Sequence, residues 1–152
     1  MIYHINRFAI RKNTQEDQLN TAMQYLHRIG EELDVVEFYC VGRDLGGEFE
    51  VGAMYALKDI DAYRTYMYAP IHEQTDNAGL PIIANQVSYD ITDDPDPQLG
   101  EKIAQIHRDR FAERPELRRL VEGLGSYQGP GTEDLTPRSS GAGGEPGTDS
   151  RP

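Results

Sequence analysis

The chain contains no tryptophan, only one cysteine and four histidines among 152 residues. A single cysteine, Cys40, excludes an internal disulfide. Its neighbours Phe38, Tyr39 and Val41 read as a strand, so Cys40 is expected to be a buried strand thiol rather than a nucleophile. His4, His27, His72 and His107 are widely separated in sequence, with no metal-ligand spacing, so no metal is expected. Basic residues are scarce: 15 Lys and Arg against 26 Asp and Glu give a formal net charge of −11. Such a chain repels nucleic acid and anionic membrane surfaces, which removes both from the expected partners. No apolar run is long enough to cross a bilayer and no basic-then-apolar start is present. The expectation is a cytoplasmic protein.

Tyrosine and glycine are abundant instead. From about residue 125 the chain reads Gly-Ser-Tyr-Gln-Gly-Pro-Gly, then Ser-Ser-Gly-Ala-Gly-Gly-Glu-Pro-Gly, with few apolar side chains to offset the entropy of ordering. Residues 125–152 are expected to form a disordered tail. The rest falls into a compact domain over 1–92, a stiff acidic hinge at 93–97 and a helical extension over 98–124. In the extension, Leu99, Ile103, Ile106 and Phe111 recur at helical spacing, and Pro115 opens a second short helix carrying Leu117, Leu120, Val121 and Leu124.

Residues 2–10 alternate as a strand, placing His4 and Asn6 on a face shared with Ile2 and Phe8. Thr14 and Asp17 signal a helix start, Leu19, Ala22, Met23, Leu26 and Ile29 supply an apolar stripe, and Gly30 is expected to end the helix. Residues 35–42 and 49–57 form a predicted hairpin around Asp44-Leu45-Gly46-Gly47. A helix over 59–69 breaks at Pro70, a short irregular helix occupies 71–83, and a fourth strand covers 85–91. The order β-α-β-β-α-β is that of an α+β ferredoxin-like fold. Two helices cover one sheet face, and an apolar second face needs a partner, so a homodimer enclosing a small-molecule cavity is expected.

The segment Tyr63-Arg64-Thr65-Tyr66-Met67-Tyr68-Ala69-Pro70-Ile71-His72 carries the chemistry. The break at Pro70 delivers an imidazole, a group able to exchange protons near neutral pH. The structural alternative is a helix kink with a satisfied histidine. Tyr66 followed by Ala69-Pro70-Ile71-His72, together with the start Ile2-Tyr3-His4-Ile5 and the strand order, resembles the stress-responsive dimeric α+β barrel (Dabb) family over residues 1–92. The family signature is Tyr, two residues, then His-Pro-x-His. Ala69 departs from it, and His72 keeps the second histidine.

The resemblance implies a dimeric α+β barrel and a cofactor-independent polyketide cyclase or related lyase or isomerase. In that reading His72 is the base, Tyr66 assists it and Asp90 orients its ring. The resemblance further assigns His4, Tyr25 and Val51 to the substrate cavity, Val51 standing near the place of a histidine that the family's cyclases carry, and Tyr68, read from the chain as a core or cavity-lining tyrosine, is placed with them. A base and a hydroxyl donor in an apolar cavity would serve an aldol-type closure, an isomerisation or an elimination. Two alternatives stand beside it: a non-catalytic dimeric protein binding a small ligand in the same cavity, and a cofactor-free oxygenase.

Overall fold

The computed structural model describes residues 1–135; the part of the expected tail over 136–152 lies outside the described residues. Strand β1 spans Ile2–Ile10, followed by helix α1 (Glu16–Glu32), strands β2 (Val36–Arg43) and β3 (Val51–Leu57), helices α2 (Ile60–Tyr68) and α3 (Pro70–Gly79), and strand β4 (Ile83–Thr92). A 3-10 turn over Leu80–Ile82 joins α3 to β4. Two further helices, α4 (Leu99–Glu113) and α5 (Pro115–Glu122), precede a short strand β5 (Ser126–Gln128). The fold is ferredoxin-like. Its sheet runs in the order β2-β3-β1-β4-β5, antiparallel except for the last pair.

Register explains which residues meet. His4 pairs with Tyr55 on one side and Asp90 on the other, and Asn6 pairs with Ala53 and Ser88. Directly opposed residues share a sheet face, so Ile2, His4, Asn6 and Phe8 join Val51, Tyr55, Leu57, Gln86, Ser88 and Asp90 under the helices. The opposite face presents Tyr3, Phe38, Tyr89 and Ile91 to solvent. Among the described residues no helix packs on it, and the β2–β3 loop reaches only one end, where Asp44 and Phe49 contact Arg7. Cys40 lies on this open face and is exposed, which corrects the expected buried thiol.

Several boundaries differ from expectation for local reasons. Helix α1 runs through Gly30 to Glu32. A Cβ at residue 30 would lie 2.2 Å from the Tyr39 ring, so glycine there serves a close helix–strand approach rather than a helix stop. Thr14 does not cap α1: its hydroxyl is buried without a partner among the described residues, while the Gln18 side chain accepts from the Gln15 amide at 2.9 Å. The segment after Pro70 is a regular helix, because Pro70 occupies its first turn where no amide donor is needed.

The expected tail begins too early. Residues 126–128 pair in parallel with β4, and the Gly125 amide donates to Ala84 O at 2.8 Å. Tyr127 packs its ring edge-on to Phe111. Gly131 turns with φ +70° where a Cβ would meet Ala104 O at 2.5 Å. Three residues are too few to show strand alternation, so composition alone misreads this stretch.

The extension packs on the helical side of the same chain. Ile103, Ile106, Phe111, Leu117, Val121 and Leu124 are buried in the same core as Ile2, Leu57 and Met67.

Candidate active site

The junction of α2 and α3 places the central histidine. Asp59 caps α2, its carboxylate accepting from the Ala62 amide at 2.9 Å. At the other end Ala69 is extended (φ −64°, ψ 138°) because the following proline disfavours helical geometry there. Pro70 also lacks the amide that would bond the Tyr66 carbonyl in a continuous helix. His72 takes that place: its Nδ1 donates to Tyr66 O at 3.1 Å. A ring nitrogen facing a carbonyl must carry the proton, so Nε2 of the neutral ring is the acceptor. The proline break therefore sets both the position and the tautomer of His72.

Nε2 faces Asp76 Oδ1 at 3.8 Å, beyond hydrogen-bond range. Burial, with Arg110 and His4 nearby, pushes the His72 pKa well below its ordinary value. Burial pushes the Asp76 carboxyl up, against the pull of Arg110, whose Nη2 donates to Asp76 Oδ2. The Tyr66 ring lies 4.6 Å from the His72 ring, tilted by 43°, and burial holds its phenol well above its usual pKa, so it stays protonated. No hydrogen bond among the described residues uses the Tyr66 hydroxyl, and the residue lines the cavity.

His72 stands where two cavities adjoin. One, of about 60 Å³, is lined mainly by apolar side chains, including Leu19, Met23, Leu26, Val51 and Tyr55. The other, of about 40 Å³, is polar and includes His4, Ser88, His107 and Arg110. Asn6, His72, Asp76, Leu80 and Gln86 border both.

A second buried cluster lies beside the polar lobe. His4 Nδ1 donates to Asp90 Oδ1 at 2.8 Å. The Tyr63 hydroxyl is 2.7 Å from His107 Nε2, 3.1 Å from His4 Nδ1 and 3.3 Å from Asp90 Oδ2. Burial, with His4 and Arg110 nearby, lowers the His107 pKa well below its ordinary value. A carboxylate can only accept, so Tyr63 donates to Asp90 Oδ2, and the neutral His107 ring donates from Nε2 to the Tyr63 oxygen.

The sequence-derived set is thus partly reassembled. His72 and Tyr66 meet at the cavity, Val51 lines the apolar lobe and His4 the polar lobe. Asp90 is a correction: it is the register partner of His4 and bonds that ring, while the partners of His72 are Tyr66 O and Asp76. Tyr25 and Tyr68 are corrections too. Tyr25 lies under the Arg28 guanidinium and Tyr68 under that of Arg114, and neither lines either lobe.

Sequence reasoning missed Asp76, Tyr63, His107 and Arg110. For Asp76 a signal existed, since it follows His72 by one helical turn. Among the described residues no group of three or more His, Cys, Asp or Glu side chains is arranged to hold a metal ion, and no helix there is long and apolar enough to cross a membrane.

Solved structures share this fold. A dimeric ferredoxin-like protein of unknown function from Thermobifida fusca superposes with a TM-score of 0.55 at 23% identity, over 60% of this chain and 89% of that one. The hydroxynitrile lyase of Passiflora edulis gives 0.54 at 13% identity, over 61% and 94%. A putative antibiotic biosynthesis monooxygenase from Caulobacter crescentus gives 0.52 at 11% identity, over 59% and 86%. No curated protein matches the sequence. Residues 2–93 match the model of the stress responsive A/B barrel domain. This chain belongs to that family, the Dabb proteins.

Proposed function

We propose that the protein is a cofactor-independent lyase, isomerase or aldol-type cyclase that uses His72 as a general base on a carbonyl compound of polyketide-like chemistry. The observation that carries this reading is the His72 tautomer. Nδ1 is committed to the Tyr66 carbonyl, and Nε2 is a neutral acceptor at the junction of an apolar and a polar lobe. Nε2 takes a proton from carbon next to the carbonyl, and the Tyr66 phenol donates to the developing enolate oxygen. Nε2 returns the proton in the next step, and the Asp76 carboxylate, 3.8 Å from Nε2 and paired with Arg110, favours the imidazolium that forms meanwhile. One ordered water needs roughly 10–15 Å³ of such space, so lobes of about 60 and 40 Å³ suit a compact substrate.

A homodimer formed through the open sheet face fits the exposed Phe38 (59%) and Ile91 (56%), apolar side chains that a second sheet would cover. The similarity to a dimeric protein of the same fold supports that arrangement.

The test is metabolite profiling of the source organism with the gene deleted, then restored as wild type or as His72→Ala. A precursor or shunt product is expected in both the deletion and the His72→Ala strain, with turnover lowered roughly 10²- to 10⁴-fold. Full rescue by a folded His72→Ala protein would overturn catalysis and leave the cavity a ligand-binding role.

A further inference from the structure

Three polar side chains around the polar lobe are left incomplete. Gln86, Ser88 and Arg110 are 9%, 5% and 5% exposed. Gln86 Oε1, Ser88 Oγ and Arg110 Nε are buried without a hydrogen-bond partner among the described residues. Leaving a buried donor or acceptor unmade carries a desolvation cost of about 1–3 kcal/mol, so three at one cavity is a costly arrangement unless something completes them.

Each group is held by its other bonds. Gln86 Nε2 donates to Asn6 Oδ1 at 3.2 Å, which turns Oε1 into the acceptor still free. Arg110 Nη2 is committed to Asp76, which leaves Nε as a donor. Ser88 stands two residues from Gln86 on the same face of β4. Two of these residues come from the sheet of the family domain. The third comes from α4, beyond the matched residues 2–93.

We infer that Gln86, Ser88 and Arg110 form a head-group subsite, closed by the C-terminal extension, for an uncharged hydroxy-carbonyl group. The carbonyl oxygen accepts from Arg110 Nε and from the Ser88 hydroxyl, and the substrate hydroxyl donates to Gln86 Oε1. An anionic head is disfavoured. Asp76 already balances Arg110, Asp90 adds a carboxylate that engages His4, and burial keeps His72 and His107 neutral. The apolar lobe receives the alkyl part. This inference rests on the proposed site at His72 for the placement of the ligand, but not on His72 acting as a base.

The test is calorimetric binding of 4-hydroxy-2-hexanone, 2-hexanone and hexanoate to the full chain and to Ser88→Ala, Gln86→Met and His72→Ala. Ser88→Ala removes a hydroxyl that has no protein partner, so the variant keeps its packing. The wild type should bind the hydroxyketone roughly tenfold more tightly than 2-hexanone. Ser88→Ala and Gln86→Met should each weaken hydroxyketone binding roughly fivefold and leave 2-hexanone within about twofold. A preference retained in His72→Ala supports the subsite whatever that variant does to turnover. Equal affinity for the two ketones would mean that the three groups hold only water, and tighter binding of hexanoate would mean that charge governs the site. Either result overturns the proposal.

Discussion

The two lobes around His72 have different origins. The apolar lobe is made within the family domain, by α1, the sheet and the α2–α3 break. The polar lobe needs His107, Arg110 and Tyr127 from α4 and β5, which lie outside that domain. One fold thus supplies His72, the proposed base, and the greasy wall, while an added segment supplies hydrogen-bonding groups. Chemistry can stay with the domain and selectivity can shift with the extension.

That division holds only if the extension is integral to the fold. Ile106 is fully buried and shares a core with Ile2, Leu57 and Met67. Ile106→Ala should cost about 2–5 kcal/mol in the main unfolding transition, as for other fully buried aliphatic side chains. Denaturant unfolding followed at the sheet would check it. An unchanged midpoint would show α4 to be a docked appendage, and the polar lobe would lose its standing as part of the site.

Acid should separate the lobes by a somewhat smaller effect. His72 and His107 are both buried neutral, with pKa values below the ordinary 6.5. The unfolded chain therefore binds more protons than the folded one once pH falls below about 6.5. Stability is fully present above that value and declines as pH falls, by up to about 1.4 kcal/mol per pH unit for each histidine until its folded pKa is reached. Asp76, shifted upward, has the opposite sign: its contribution weakens as pH rises from the unfolded carboxylate range towards its folded value. Urea unfolding at pH 6.5 and 5.5 should give a slope that His72→Gln and His107→Gln each reduce. Equal slopes in wild type and variants would mean that neither ring is held neutral.

The fold and the position of His72 were legible in the chain; the wiring around that histidine was not. Alternation in β1 put His4 and Asn6 on the covered face, and Pro70 marked the break that delivers His72, because both signals are local. Asp90 was assigned to the wrong histidine because strand register joins residues 86 positions apart, and nothing within either strand announces it. Periodicity found α4 through Leu99, Ile103, Ile106 and Phe111, yet gave no reason to single out His107 or Arg110. Their burial depends on where α4 crosses α2. Tyr127 was lost to a glycine-rich composition that its one aromatic anchor overrides.

The smallest expected effect is the sharpest test of that wiring. Asp90→Asn keeps an oxygen that can accept from His4 Nδ1, but replaces the other carboxylate oxygen, beside Tyr63, with an amide donor. In the variant Tyr63 loses that acceptor and turns its proton to His107 Nε2, whose neutral ring shifts its own proton to Nδ1, so the Tyr63 oxygen can accept from the new amide and the cluster stays connected. The loss is the charge-assisted part of the His4 bond, about 1 kcal/mol. Nitrogen-15 NMR of the histidine rings resolves the question without any substrate. The His4 Nδ1 resonance should move in Asp90→Asn, while both His72 resonances should stay in place, since the proton on His72 is held by the Tyr66 carbonyl. A His72 tautomer change in that variant would return Asp90 to the role of orienting the base, and would make the two lobes one proton network instead of two.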